Sequence, residues 1–137
     1  MDDIQVIDVD PVTRRVIFGI KPKKIKGISK LVQIVIISLL NVPGRDVLFP
    51  SKGGGLPAML GSNVDPNDST DLYAEVSRRV KKTESEIIAD QIGLDDTPEE
   101  KLSKLQIVNV SVGVNADAID LTLRIINQAG QATDVTI

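Results

Sequence analysis

The chain has 137 residues, of which 42% are hydrophobic and 26% charged, and its net charge is −3. This length corresponds to about one domain of ordinary size, and the composition is typical of a soluble globular protein. There is no Cys, His or Trp, and the aromatic residues are Phe18, Phe49 and Tyr73. Missing Cys excludes disulfides, thiolate nucleophiles and iron–sulfur sites, and missing His excludes the usual general base and catalytic triads. The few aromatic rings disfavour modules that stack nucleic-acid bases.

The charges are unevenly placed along the sequence. Seven cations and no acid lie between Arg14 and Lys30, whereas ten acids and three cations follow position 82. A second basic cluster combines Arg78 and Arg79 with two lysines just after them. These regions are either solvated faces or surfaces that steer the chain toward charged partners. The stretch 14–30 would then meet an acidic protein surface or nucleic-acid phosphates, although the small net charge disfavours nucleic acid.

The first third of the chain predicts short strands followed by a helix. Residues 4–9 and 15–20 are rich in β-branched side chains and flank an Asp-Pro pair, which indicates two strands joined by a turn. Residues 21–27 are a basic connector. Residues 28–41 then predict a buried helix that Ser29 caps and a Pro-Gly pair ends. Its apolar run is shorter than the roughly 20 residues of a membrane span.

The middle of the chain predicts loops and one long charged helix. Residues 44–55 form a loop rich in Gly and Pro, residues 56–60 favour a short helical turn, and residues 63–69 form a polar loop. A narrow apolar stripe beside a charged face then indicates a helix from residue 68 to 91 or 92. Such a helix docks along one side only, and Gly93 is a plausible stop.

A short helix and a change of periodicity open the last third. Thr97 caps this helix, Pro98 suits its first turn, and Glu100 closes a capping box. From residue 105 to 114 apolar and polar residues alternate with period two, which predicts a strand. Val108 shifts the phase of that alternation.

Two further strands are predicted at the C-terminal end. The cleanest alternation of the chain spans residues 119–125, and a turn at 116–117 precedes it. A loop with glycine at 127–131 makes a hairpin with a last strand at 132–137. At a sheet edge, this last strand offers unpaired backbone groups to another chain unless Asp134 blunts the edge.

The expected architecture is α+β, with N-terminal short strands, central helices and a C-terminal antiparallel β-meander. We expect one domain over residues 1–137. Within it, residues 1–27 hold the first strands and the basic connector, residues 28–104 the helical part and residues 105–137 the terminal sheet.

No residue pattern predicts catalysis or a bound cofactor. Lys52 precedes Gly53–Gly55, whereas a phosphate-binding loop needs its Lys after the glycines, so the triplet is interpreted as a mobile or tightly packed loop. Carboxylates such as Glu84 and Glu86 lack the aromatic platform that we expect of a sugar-cleaving pair. The acidic loop at 65–69 lacks the Gly and Glu of a calcium loop. We therefore expect no enzyme activity, no cofactor and no metal site.

One stretch carries a recognisable pattern. It reads Ile-Ser-Leu-Leu-Asn-Val-Pro-Gly-Arg-Asp at 37–46, Phe-Pro at 49–50 and Gly-Gly-Gly-Leu at 53–56. An apolar helix ending in Leu-Leu, a turn with Gly44 and Arg45, a Pro, and then Gly before an apolar segment resembles the baseplate wedge proteins of contractile phage tails. This family is sometimes labelled lysozyme-like, and it includes the related baseplate subunit of type VI secretion systems.

The resemblance extends beyond that stretch. The family continues with a helix that carries Glu-Pro-Arg. Here Glu84 matches the Glu, whereas Ser85 and Glu86 replace the Pro and the Arg. The order of elements then agrees up to the last strand, so the resemblance covers about residues 28–137.

The resemblance implies structural work. Family members occupy the baseplate wedge in six copies around the tail axis, bind the larger wedge subunits, and present a surface on which the first ring of tail sheath protein polymerises. It implies a sheath initiator in the virion tail baseplate, assembled in the host cytoplasm near the tail tube, without membrane or nucleic-acid partners. A nucleic-acid-binding accessory protein that uses the basic stretch 14–30 is the alternative. The expected partner-binding residues are Gly44, Arg45, Arg78, Arg79, Glu84, Thr133, Asp134, Val135, Thr136 and Ile137.

Overall fold

The fold is α+β, and its antiparallel strands lie at the C-terminal end, as the sequence predicts. The computed structural model describes residues 3–4, 7–9, 14–18, 24–41, 43–44, 48, 51–55, 69–112 and 119–137. In these residues the elements are, in chain order, β1 (Asp3–Ile4), β2 (Ile7–Val9), β3 (Val16–Phe18), β4 (Lys24–Ile25), α1 (Ile28–Leu40), α2 (Ser69–Gln91), a 3₁₀ turn (Pro98–Glu100), β5 (Leu102–Val112), β6 (Ile119–Asn127) and β7 (Ala132–Thr136). The turns predicted at 56–60 and 116–117 and most of the loop at 63–69 lie outside the described residues.

β5, β6 and β7 form an antiparallel sheet in that order. Along β6, Leu121, Leu123 and Ile125 are buried beneath the helices, whereas Thr122 and Arg124 lie on the opposite face. One apolar face and one polar face are the usual pattern of an antiparallel sheet that covers a core on one side. α1 packs on β6 and α2 packs on β5, and the two helices also contact each other.

The predicted phase shift in β5 is confirmed as a β-bulge. Ile107 pairs with Leu123, but Asn109 pairs with Thr122, so Val108 has no partner of its own on β6. An extra residue in one strand flips the side-chain alternation at that point. Val108 is accordingly 49% exposed.

α1 is apolar around most of its surface because several elements cover it. It contacts α2, the 3₁₀ turn and β6, and its buried residues include Leu31, Val35, Ile36 and Leu39. The prediction that Ser29 caps it is wrong. Gly27, at φ 70°, occupies the cap position, and its N–H donates to Glu100 Oε1 at 3.1 Å. A carboxylate from the far end of the helical part therefore replaces a local cap.

The same contact explains why the predicted capping box at the 3₁₀ turn is wrong. Thr97 makes no side-chain cap hydrogen bond within the described residues. Glu100 is buried and its two oxygens accept hydrogen bonds from Gly27 and Lys30 on α1. A long-range charged partner thus competes successfully with the local backbone N–H for this carboxylate.

The N-terminal strands agree in part with the prediction. β2 and β3 pair antiparallel, as predicted for residues 4–9 and 15–20. The basic connector at 21–27 instead contains a strand, because β4 pairs antiparallel with β1. Residues 4–9 accordingly contribute to two strands rather than one.

α2 has the predicted limits and the predicted stripe. It ends at Gln91, and Gly93 follows at φ +81°, a conformation that glycine adopts without cost. Val76 and Val80 are buried, and Thr83 fills the gap in the stripe, where its Oγ1 donates to the Arg79 carbonyl at 3.0 Å. In the described part of the chain, no helix is both long and apolar enough to span a membrane.

Candidate partner-binding site

The outer edge of β7 is the first part of the candidate site. Among the described strands β7 has β6 as its hydrogen-bonded neighbour. The N–H of Ile137 donates toward β6, to the Leu121 carbonyl at 2.8 Å, whereas the N–H of Thr136 points away from β6. Because successive residues of a strand direct their backbone groups to opposite sides, Ala132 and Asp134 point outward like Thr136. The predicted edge strand therefore exists, with its even-numbered residues facing outward.

The N-terminal segment closes one end of this edge. The N–H of Thr136 donates to the Arg14 carbonyl at 2.9 Å, and Arg15 forms a parallel bridge with Thr136. In the part of the chain that the structure describes, no backbone hydrogen bond reaches the outward groups of Ala132 and Asp134. The open part of the edge is thus shorter than the predicted 132–137.

The side chains of β7 contribute to the surface to different extents. Val135 is fully buried in the core and presents nothing to a partner. Asp134 accepts from Arg124 Nε at 2.9 Å, and this hydrogen bond raises the pKa of the Arg124 guanidinium. Thr136 and Thr122 share a hydrogen bond between their hydroxyls at 3.0 Å. Asp134 therefore belongs to a cross-strand pair on the polar face, and it does not stand alone as a charge that blunts the edge.

A hollow adjoins the open part of β7. Its volume is about 230 Å³, and it lies between β2, α1 and β7. Its wall combines apolar and polar surface. The lining residues are Ile7, Val9, Arg14, Ile28, Ser29, Val32 and Thr133.

The glycine triplet forms the second part, between the end of α1 and the middle of α2. Gly54 N–H donates to the Ser38 carbonyl at 2.9 Å, and Gly55 N–H donates to the Asn41 carbonyl at 3.0 Å. Gly53 N–H donates to Glu86 Oε2 at 3.1 Å, and all three glycines are buried. Of the two interpretations left open by the sequence, the tightly packed loop is therefore the one that the structure has.

Two cations of α2 hold the carbonyl groups of this loop. Arg79 Nη1 donates to the carbonyls of Gly54 and Gly55 at 3.1 and 2.6 Å. Lys82 Nζ donates to the carbonyls of Ser51 and Gly53 at 2.7 and 2.8 Å. Half of the second basic cluster thus binds the chain's own backbone.

Glu75 orients the first arginine of that pair. Its carboxylate accepts from Arg79 Nε at 2.8 Å and from Arg78 Nη2 at 2.5 Å. The Arg78 hydrogen bond is the main reason why the pKa of Glu75 lies below its usual value. The Arg78 side chain is 63% exposed, so it is the arginine of this cluster that a partner can reach.

The remaining expected residues do not join one common site. Glu84 Oε2 accepts the N–H of Leu105 at 2.7 Å, which connects α2 to the outer edge of β5. Gly44 lies in an exposed turn at φ +97°, and Arg45 lies outside the described residues. Arg79 and Glu84 therefore make intramolecular contacts, whereas β7 presents outward backbone groups that no other described residue reaches.

This position of Glu84 gives a stability prediction. Glu84→Ala leaves the Leu105 N–H without its acceptor and is expected to lower the free energy of unfolding by about 1–3 kcal/mol. Glu84→Gln keeps an oxygen at that place and is expected to lose less than half as much. Urea unfolding of the three proteins measures the difference. Equal midpoints for all three would show that the carboxylate does not support β5.

A buried charge pair between α1 and the 3₁₀ turn was not expected from the sequence. Lys30 Nζ lies 3.3 Å from Glu100 Oε2 and 3.5 Å from Asp96 Oδ1, and Lys30 and Glu100 are both buried. A lysine inside an otherwise apolar helix is the signal in the sequence for such a pair. Arg15, which like Lys30 belongs to the basic stretch 14–30, pairs with Asp120 at 3.3 Å. Among the described residues of this stretch, Arg15 and Lys30 therefore have acidic partners within the chain.

Comparisons with known proteins add no relative. No protein-family model matches the chain, and neither the curated proteins nor the solved structures contain a match. Among the described residues, no group of three or more Asp or Glu side chains could hold a metal ion.

Proposed function

We propose that this chain is a structural component of a contractile-tail baseplate wedge, which binds larger wedge subunits and starts polymerisation of the sheath. The observation that carries the proposal is the open edge of β7, where the backbone groups of Ala132 and Asp134 face outward. An extended segment of another chain can add to such an edge as a further strand. The resemblance supplies the identity of that chain, a tail sheath subunit.

The hollow beside β7 supports strand addition at this place. A strand paired with residues 132–134 directs alternate side chains toward the helices. There it meets the apolar wall that Val9, Ile28 and Val32 provide. Main-chain hydrogen bonds would supply affinity and this hollow would supply selectivity for an apolar side chain.

The packing of the glycine triplet supports a structural role, in which the positions of the helices and the sheet are fixed. The segment that carries the family resemblance joins the last turn of α1 to α2 through Gly53–Gly55. Arg79 and Lys82 hold the same loop from the other side. These contacts fix the position of the helices beneath the sheet, and a rigid sheet presents its edge in one orientation.

The nucleic-acid alternative draws less support from the same contacts. Arg15 pairs with Asp120, and Lys30 is buried against Glu100 and Asp96. These cations are already neutralised by acids of the chain, whereas phosphate binding gains its free energy from cations that release counterions.

A proline in β7 tests the proposal. Deleting residues 132–137 would also remove the fully buried Val135. Asp134→Pro instead removes an outward N–H that β6 does not use, and proline is tolerated at such edge positions. We expect the variant to enter baseplates and the number of sheathed tails to fall to a small fraction of the wild-type count, as seen by electron microscopy.

Asp134→Ala is the matched control for this experiment. It removes the ion pair with Arg124 but keeps the backbone N–H, so sheathed tails are expected at wild-type numbers. Normal sheathed tails from a folded Asp134→Pro protein would contradict strand addition at β7. Failure of both variants to enter baseplates would assign the surface to wedge binding instead of sheath binding.

A further inference from the structure

A groove lies between the first half of α2 and the outer edge of β5. Its volume is about 430 Å³. Among the described residues that line it there are two cations and no acid. The lining residues are Tyr73, Ser77, Val80 and Lys81 of α2, Leu105, Gln106, Ile107 and Val108 of β5, and Arg124 of β6.

α2 covers one end of the β5 edge and leaves the groove end uncovered. Gln91 Oε1 accepts the Leu102 N–H at 2.8 Å, and Glu84 Oε2 accepts the Leu105 N–H. Ile107 lies two residues beyond Leu105, so its backbone groups face the same way. No hydrogen bond from another described residue reaches them.

The walls of the groove combine exposed apolar surface with a cation. Tyr73 is 54% exposed and Val108 is 49% exposed. Tyr73, Ser77 and Lys81 follow at intervals of four residues, so they lie on one face of the helix. This arrangement fits a short segment with apolar side chains and an adjacent carboxylate.

The chain presents a segment of this chemistry at the other end of α2. Ile92 and Leu94 are 77% and 49% exposed, and the exposed Asp95 follows them. Residues 94–97 have no regular secondary structure. With a rise of 1.5 Å per residue, this segment lies about 24 Å along the helix from Ser77, so it does not reach the groove of its own chain.

We propose that the segment Ile92–Asp95 of one copy docks in the α2–β5 groove of a second copy. Ile92 and Leu94 pack against Tyr73 and Val108, and the Asp95 carboxylate pairs with the Lys81 ammonium. The contact joins two different surfaces, so it continues from copy to copy and either closes into a ring or extends as a filament. It does not depend on a role in a contractile tail.

Sedimentation velocity of the purified full chain tests this contact. A contact through one four-residue segment is smaller than a standard protein interface, so we expect weak association, with a Kd on the order of 100 μM. The weight-average mass is therefore expected to rise above the 14.8 kDa of the monomer as the concentration increases. Added salt is expected to reduce the effect because the charge pair is exposed at its rim. A monomer at every concentration up to about 1 mM, well above that Kd, would overturn the proposal.

Charge exchange identifies the surfaces. Lys81→Glu and Asp95→Lys are each expected to raise the Kd at least about tenfold, since each places like charges together. The double variant with both changes is expected to regain association. Lys26→Glu alters an exposed lysine outside the groove and serves as the matched control for Lys81→Glu, since both lower the net charge by the same amount. If the double variant associates no better than either single variant, this pairing is wrong.

Leu94→Ser is a second, uncharged test of the same contact. Leu94 is not part of the buried core, so the variant is expected to fold, which its thermal unfolding checks. It is expected to lose association to the same extent as Lys81→Glu. Wild-type association of a folded Leu94→Ser protein would exclude the segment as the docked element, even if Lys81→Glu failed to fold.

Discussion

Gly54→Ala is expected to lower the free energy of unfolding by about 2–3 kcal/mol, because the new methyl group has no room. A Cβ on Gly54 would lie 2.6 Å from Thr83 Oγ1 and 3.0 Å from both the Cα and the carbonyl oxygen of Leu39. Both of these Leu39 atoms belong to the backbone of α1, so they cannot move unless the helix moves. Thr83 is fully buried and its Oγ1 donates to the Arg79 carbonyl, so a shift of its side chain would break this hydrogen bond.

Gly93→Ala is the matched control for this substitution. Gly93 has φ +81°, but no described atom lies within 4 Å of the place that a Cβ would take. The Gly93→Ala variant is therefore destabilised only by the left-handed backbone conformation of its alanine, by about 1–2 kcal/mol. Gly54 has no positive φ, so its cost is steric. Urea unfolding measures both free energies, provided that the dependence of the unfolding free energy on urea concentration is the same for each variant. A Gly54→Ala protein as stable as the wild type would mean that the loop does not pack as described.

Local pattern predicted the elements of the fold well. The apolar run of α1, the one-sided stripe of α2 and the alternation along β6 each depend on residues that are close in sequence, and each element has the predicted type. Even the bulge was readable, because Val108 interrupts a period of two. The last strand was also predicted, because Gly130 indicates the hairpin loop before it. In the structure Gly130 has φ +84°, which glycine adopts readily.

Contacts between distant residues could not be read from the sequence. Glu100 looked like a local cap, but its partner Gly27 lies 73 positions away. The glycine triplet allowed a mobile or a packed loop, and Ser38 and Arg79 on different helices decide between them. At the candidate site, periodicity predicted an edge strand, whereas its partial closure by Arg14 depends on a contact across almost the whole chain.

Glu100→Ala is expected to lower the free energy of unfolding by about 2–3 kcal/mol, since it removes one of the two acids that face the buried Lys30 ammonium and leaves the Gly27 N–H without its acceptor. Lys30 would keep Asp96, at 3.5 Å, and Gly27 would lose the carboxylate that replaces its cap. Glu100→Gln keeps an acceptor oxygen for Gly27 but not the charge. Its free energy of unfolding is therefore expected to lie between those of the wild type and Glu100→Ala. An Ala variant no less stable than Gln would show that the Gly27 hydrogen bond contributes nothing.

The charge pair also predicts how stability depends on pH. Burial by itself lowers the pKa of Lys30, but the hydrogen bonds and charges of Glu100 and Asp96 outweigh it and hold that pKa above its usual value of 10.5. A pKa raised in the folded state stabilises the protein fully below the unfolded value, and this stabilisation is lost as pH rises through the folded value. The double variant Lys30→Met, Glu100→Leu lacks the pair, and because it also leaves the Gly27 N–H without its acceptor it is expected to be about 1–3 kcal/mol less stable than the wild type at pH 7. Between pH 9 and about pH 12, its unfolding free energy is therefore expected to fall less than that of the wild type. If the unfolding free energies of the wild type and the double variant fall equally over that pH range, the pair contributes no pH-dependent stability.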